Sequence, residues 1–66
     1  MSKILNYYTG KIIEEDENLS LTDLCVKFKA NLEEANLEEA NLEEANLEEA
    51  NLYRANLHRA NLNKAN

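Results

Sequence analysis

Ala30-Asn31-Leu32-Glu33-Glu34-Ala35-Asn36-Leu37-Glu38-Glu39 opens a run that repeats Ala-Asn-Leu-x-x seven times and closes on Ala65-Asn66. Leu32, Leu37, Leu42, Leu47, Leu52, Leu57 and Leu62 recur without an error, each with Ala two residues before it and Asn between. A fixed short period marks a repeat architecture, in which each unit buries its apolar residues against its neighbours.

Ala, Leu and Glu are among the best helix formers, so propensity alone favours a helix. The spacing opposes it. An α-helix turns about 100° per residue, so a five-residue step advances by a net angle of roughly 140°. Leucines at that step scatter around the cylinder and define no apolar stripe. In extended chain, Ala30 and Leu32 share one face while Asn31 points the other way. Glu33 and Glu34 must then turn a corner before Ala35 restarts the pattern. Repetition bends the chain around an axis, with every Ala and Leu expected to face inward.

Tandem Ala-Asn-Leu-x-x over Ala30 to Asn66 resembles the pentapeptide-repeat family, whose consensus is A(D/N)Lxx. The resemblance implies a mainly β fold, a right-handed quadrilateral β-helix in which four repeats make one square coil. The present array then forms a solenoid of just under two coils. In family terms Leu is the central inward residue, Ala the second inward residue, and Asn stacks in ladders near the corners.

Residues 1–29 read as a separate N-terminal cap and residues 30–66 as the solenoid. Ile4 to Tyr8, Thr9-Gly10 and Lys11 to Glu14 suit strand, tight turn and strand, a β-hairpin. Ser20 with Asp23 resembles a capping box, and Leu21, Leu24, Cys25 and Phe28 have the spacing of one face of a short α-helix. A hairpin and helix leading into the repeats is similar to many small pentapeptide proteins of phages and bacteria. Such a segment would cover the first coil, whose apolar layer and strand edges are otherwise bare.

Stacking two square coils sets residues twenty apart beside each other, at about 4.8 Å. Glu34 is then expected beneath Arg54, Glu39 beneath Arg59, Glu44 beneath Lys64, and Glu38 beneath His58. Opposite charges facing across neighbouring strands contribute roughly 0.2–1 kcal/mol per pair. That arrangement accounts for the basic residues but leaves Glu43, Glu48 and Glu49 in surplus.

The chain has 66 residues and a net charge of −6. Residues 1–29 carry four Lys against five acids, and residues 30–66 carry eight Glu against Arg54, Arg59 and Lys64, so −5 of the charge lies in the repeats. Phosphate contacts need Lys and Arg, so direct nucleic-acid binding is not expected, and a basic partner is. No apolar stretch is long enough to cross a membrane, and no secretory pattern opens the chain. The lone Cys25 agrees with a reducing compartment, and the expected location is the cytoplasm of a bacterial or phage-infected cell.

Enzyme chemistry is not expected, nor is any cofactor or metal. His58 is the single histidine, with no Cys or carboxylate at metal-ligand spacing. Cys25 suits a packed small hydrophobe, and Thr9-Gly10-Lys11 lacks the rest of a phosphate loop.

Two binding roles remain. One is an inhibitor that mimics duplex DNA toward a basic DNA-binding protein, as the family resemblance implies for type II topoisomerases. Small acidic phage proteins block CRISPR and other phage-defence nucleases in a comparable way. B-DNA carries one charge per about 1.7 Å, so two coils spanning roughly 10 Å match about six phosphates. Glu33, Glu38, Glu43, Glu48 and Glu49 are the expected contacts, with Glu34, Glu39 and Glu44 partly committed to the ladder. The other role is a structural or assembly module. Two coils make a thin core, and an isologous homodimer through the last coil would bury Leu52, Leu57, Leu62, Ala60 and Ala65.

Overall fold

The computed structural model describes residues 2–66. Two antiparallel strands, β1 (Ser2–Asn6) and β2 (Ile12–Asp16), form the first hairpin. Ile4 pairs with Glu14, but Leu5 pairs with Ile12, so the register shifts by one residue at Ile13, as at a β-bulge. Both arms depart from the limits the sequence implies, Ile4 to Tyr8 and Lys11 to Glu14. The cause is Asn6. Its Oδ1 accepts hydrogen bonds from the amides of Tyr8 at 2.8 Å and Thr9 at 3.0 Å, an Asx turn that ends β1 before Tyr7. Gly10, at φ 76°, supplies the left-handed residue that completes the reversal.

Ser20 Oγ accepts from the Asp23 amide at 3.1 Å and starts helix α1 (Leu21–Lys27), as its capping pattern predicts. Leu24 and Cys25 are buried from this helix, beside Ile4 of β1. A short 3₁₀ turn over Lys29–Asn31 follows. This turn corrects one expectation: Ala30 is exposed, because in–out alternation holds only in extended chain and begins at Leu32.

From Leu32 onward every repeat closes in the same way. The Ala amide after each variable pair donates to the Leu carbonyl before it, at 3.0 Å for Ala35 to Leu32 and 2.9 Å for Ala65 to Leu62. The second variable residue has positive φ, 63° at Glu34 and 60° at Lys64, and the first does not. That combination defines a type II turn. From Asn36 onward the preceding Asn side chain holds the corner: Asn36 Oδ1 accepts from the Glu38 amide at 3.2 Å, and Asn56 Oδ1 from the His58 amide at 3.1 Å.

Residues twenty apart meet in parallel register, Asn36 with Asn56 and Asn41 with Asn61. The Leu37 amide donates to the Asn56 carbonyl at 2.9 Å, and the Asn56 amide donates to the Ala35 carbonyl at 2.9 Å. Residues 50–66 thus form an upper tier on residues 30–49. On its other side β3 (Ala35–Asn36) pairs antiparallel with β1, giving the strand order β2-β1-β3. The hairpin therefore extends the wall of the lower tier.

One apolar cluster joins the two parts of the chain: Ile4, Leu24 and Cys25 pack with Leu32, Ala35, Leu37 and Leu42. Burial fades in the upper tier. Leu42 is 0 % exposed, whereas Leu62, twenty residues later, is 42 % exposed. Among the described residues no helix is long and apolar enough to cross a membrane.

Candidate acidic interaction surface

All eight glutamates of the repeats sit at turn positions, in the pairs 33/34, 38/39, 43/44 and 48/49. Four successive turns separate a residue from the one above it, so the pairs mark four corners around the lower tier rather than one face. Glu33, Glu38, Glu39, Glu43, Glu44, Glu48 and Glu49 are exposed, and Glu34 is half-buried. The structure gathers each pair at its own corner and keeps the four pairs apart.

The expected charge ladder forms at one position only. Arg59 Nη1 lies 3.9 Å from Glu39 Oε2, the one ion pair among the described residues. Glu34 and Arg54 do not pair. Asn6 Nδ2 donates to Glu34 Oε1 at 3.1 Å, and the Arg54 guanidinium lies 5.4 Å from the Tyr53 ring centroid instead. Glu44 with Lys64, and Glu38 with His58, also fall outside ion-pair distance. Each of these four side chains is exposed, and fixing two long side chains in water costs about as much as their attraction returns. The backbone register is therefore set by main-chain and Asn hydrogen bonds. Asn56 Nδ2 donates to Asn36 Oδ1 at 3.4 Å and Asn61 Nδ2 to Asn41 Oδ1 at 3.5 Å. Asn31 breaks the Asn stacking, because its Nδ2 donates to Glu14 Oε2 at 2.9 Å.

The residues expected at an end interface all belong to the upper tier. Leu52, Leu57, Ala60 and Ala65 are half-buried and Leu62 is exposed. Lower-tier amides of Glu34, Leu37, Glu39, Leu42 and Glu44 donate to upper-tier carbonyls. Among the described residues, the equivalent upper-tier amides of Arg54, Leu57, Arg59, Leu62 and Lys64 have no backbone partner. This end is an apolar layer rimmed by unpaired backbone groups, the form of an open sheet edge.

One exposed cluster escaped the sequence reading. The main chain brings Tyr7, with Tyr8 next to it, and Tyr53 to the corner of Glu33 and Glu34, although Tyr53 is far from the hairpin in sequence. The twenty-residue register sets Tyr53 over Glu33, and the hairpin's pairing with β3 adds Tyr7 and Tyr8, which no periodicity in the sequence announces. Tyr7 and Tyr8 contact edge to face, with ring centroids 5.1 Å apart.

Other reactive groups lie elsewhere. Burial pushes the Cys25 thiol up from 9.0 to about 11, which keeps it protonated and a poor nucleophile. His58 is exposed on the corner of Glu38 and Glu39. No cluster of three metal-ligating side chains, and no pocket, occurs among the described residues.

Comparison with known proteins matches residues 30–66 to the family described as Pentapeptide repeats, in 8 copies. Repeats of this kind imply a β-helix. No curated protein and no solved structure matches the chain.

Proposed function

This chain belongs to the pentapeptide-repeat family, and from that membership we propose that it is a non-enzymatic, acidic protein-binding module. Residues 30–66 wind as a right-handed quadrilateral β-helix of just under two coils, and residues 1–29 cap its first coil. The module imitates duplex DNA toward a basic DNA-binding protein, such as a type II topoisomerase or a CRISPR or other phage-defence nuclease, and inhibits it.

The observation that carries this reading is the ring of carboxylates on the lower tier. Seven of the eight glutamates are exposed, and only Glu39 has a cationic partner among the described residues. Their regular backbone setting, at the same two positions of each turn, holds the charges at a repeated spacing as phosphates are held. Rigid placement matters because association then costs little loop ordering.

Immobilised protein presented with a type II topoisomerase and a CRISPR nuclease tests the proposal. Binding is expected to weaken steeply between low and high salt, to be competed by duplex DNA, and to fall further on Glu→Gln substitution at 43, 48 and 49. Binding that ignores salt and DNA sinks electrostatic mimicry.

A second reading rests on the upper tier. Its leucines and unpaired amides suit assembly of two copies into a homodimer through Leu52, Leu57, Leu62, Ala60 and Ala65. Native mass spectrometry at micromolar concentration checks it. Dimer that disappears in Leu62→Glu supports the reading, and monomer throughout removes it.

A further inference from the structure

We infer that the tyrosine corner is the docking point for an arginine-bearing segment of a protein partner, whose guanidinium lies on the tyrosine rings while Glu33 takes its charge. The inference rests on the acidic-module reading and names the corner of the ring that such a partner engages.

Three chain levels meet there. The Tyr7 amide donates to the Glu34 carbonyl at 2.7 Å, and the Glu34 amide donates to the Tyr53 carbonyl at 2.8 Å. Neighbouring strands lie about 4.8 Å apart, so Tyr7 and Tyr53 flank the glutamates one level below and one level above. Tyr7, Tyr8 and Tyr53 are 50 %, 59 % and 61 % exposed. They are all the tyrosines of the protein. The other three corners carry Glu38, Glu39, His58 and Arg59, then Glu43, Glu44, Asn63 and Lys64, then Glu48 and Glu49, with no tyrosine among them. Only this corner combines carboxylate with aromatic area.

Charge and chemistry select the occupant. Glu33 is exposed and makes neither a side-chain hydrogen bond nor an ion pair among the described residues, so its carboxylate is available to a cation. Glu34 is held by Asn6 Nδ2 at 3.1 Å, which fixes the hairpin against the corner. Arg54 already illustrates the contact: its guanidinium sits 5.4 Å from the Tyr53 centroid rather than on Glu34. Tyr7 and Tyr8 have no such cation among the described residues. Guanidinium is weakly hydrated and planar, and it pairs with a carboxylate edge-on while stacking on an aromatic face.

The test titrates the isotope-labelled full chain with hexaarginine, and with hexacitrulline as a neutral peptide of the same shape, following amide resonances at low salt. Hexaarginine should move Tyr7, Tyr8, Glu33, Tyr53 and Arg54 most, and hexacitrulline should not. Glu33→Gln should weaken binding several-fold more than Glu43→Gln, which removes the same charge from another corner. Tyr8→Ala with Tyr53→Ala should weaken it about tenfold, the value of two exposed cation–π contacts. Both rings are exposed, so the double variant keeps its dispersed spectrum. Equal shifts at all four corners overturn this inference while leaving the acidic module standing, whereas no hexaarginine binding at all overturns both. Tighter binding of oligothymidine than of hexaarginine, or self-association through the same residues, also overturns it.

Discussion

Asn36 and Asn56 stand side by side in parallel register, twenty residues apart, with Asn56 Nδ2 donating to Asn36 Oδ1 at 3.4 Å. Asn36 Oδ1 also accepts from the Glu38 amide at 3.2 Å. One side chain therefore fixes its own turn and ties one tier to the next. Comparing substitutions at Asn36 and Asn46 separates these roles.

Asn36→Ala removes both bonds, whereas Asn46→Ala removes only the turn bond to the Glu48 amide at 3.2 Å. Each net hydrogen bond contributes about 0.5–1.5 kcal/mol. Urea denaturation should therefore rank Asn36→Ala below Asn46→Ala in stability by about 1 kcal/mol. Equal losses would show that the ladder bond contributes nothing.

Leu42 and Leu62 occupy the same repeat position in the two tiers, yet one is wholly buried and the other 42 % exposed. Truncating a buried Leu to Ala costs about 2–5 kcal/mol. For a domain of this size Leu42→Ala should approach complete unfolding by thermal melting. Leu62→Ala should cost about 1 kcal/mol or less in the monomer, and a loss matching that of Leu42→Ala would place Leu62 inside an assembled core.

Glu49 has φ 65°, while Glu48 beside it does not adopt the left-handed region. That conformation costs a residue with a Cβ roughly 1–2 kcal/mol, and Gly escapes the cost. Glu49→Gly should leave stability unchanged or raise it by up to about 1 kcal/mol. Glu48→Gly should lower it by about 0.5–1 kcal/mol. Chemical denaturation that reverses this order contradicts the turn geometry.

Cys25 gives the fold an alkaline limit. Its thiol is raised from 9.0 to about 11 by burial, so the folded state holds the proton more tightly than the unfolded chain. This contribution is fully present below pH 9 and is lost as pH rises through 11. The loss is on the order of 2 kcal/mol across that window. Cys25→Ala should show a flatter stability profile between pH 9 and 11, at the expense of a lower plateau from lost packing. Parallel profiles would mean that another group controls the alkaline limit.

The five-residue period made the inward Leu, the paired-residue turns and the twenty-residue register legible before any coordinates. They depend on spacing, which a strict repeat states without ambiguity. The capped helix was legible too, since Ser20 and the Leu21-Leu24-Cys25-Phe28 face are local signals. The end of β1 was not, because Asn6 bonds to Tyr8 and Thr9 and stops the strand early.

Sequence by itself determined the repeated turns and the parallel register of residues twenty apart, because a pattern repeated every five residues sets the same local bonds in every unit. Tertiary structure decided which of the expected charge pairs form. Arg59 met Glu39 as the register predicts, but Glu34 went to Asn6 and Arg54 to Tyr53, since long exposed side chains choose among neighbours that only the fold supplies. It also decided that Tyr7 and Tyr8 join Tyr53 at one corner, through a strand pairing between residues about thirty positions apart, Asn6 with Ala35. Main-chain geometry is dictated by local spacing, whereas surface partners are dictated by whatever distant segment the fold sets beside them.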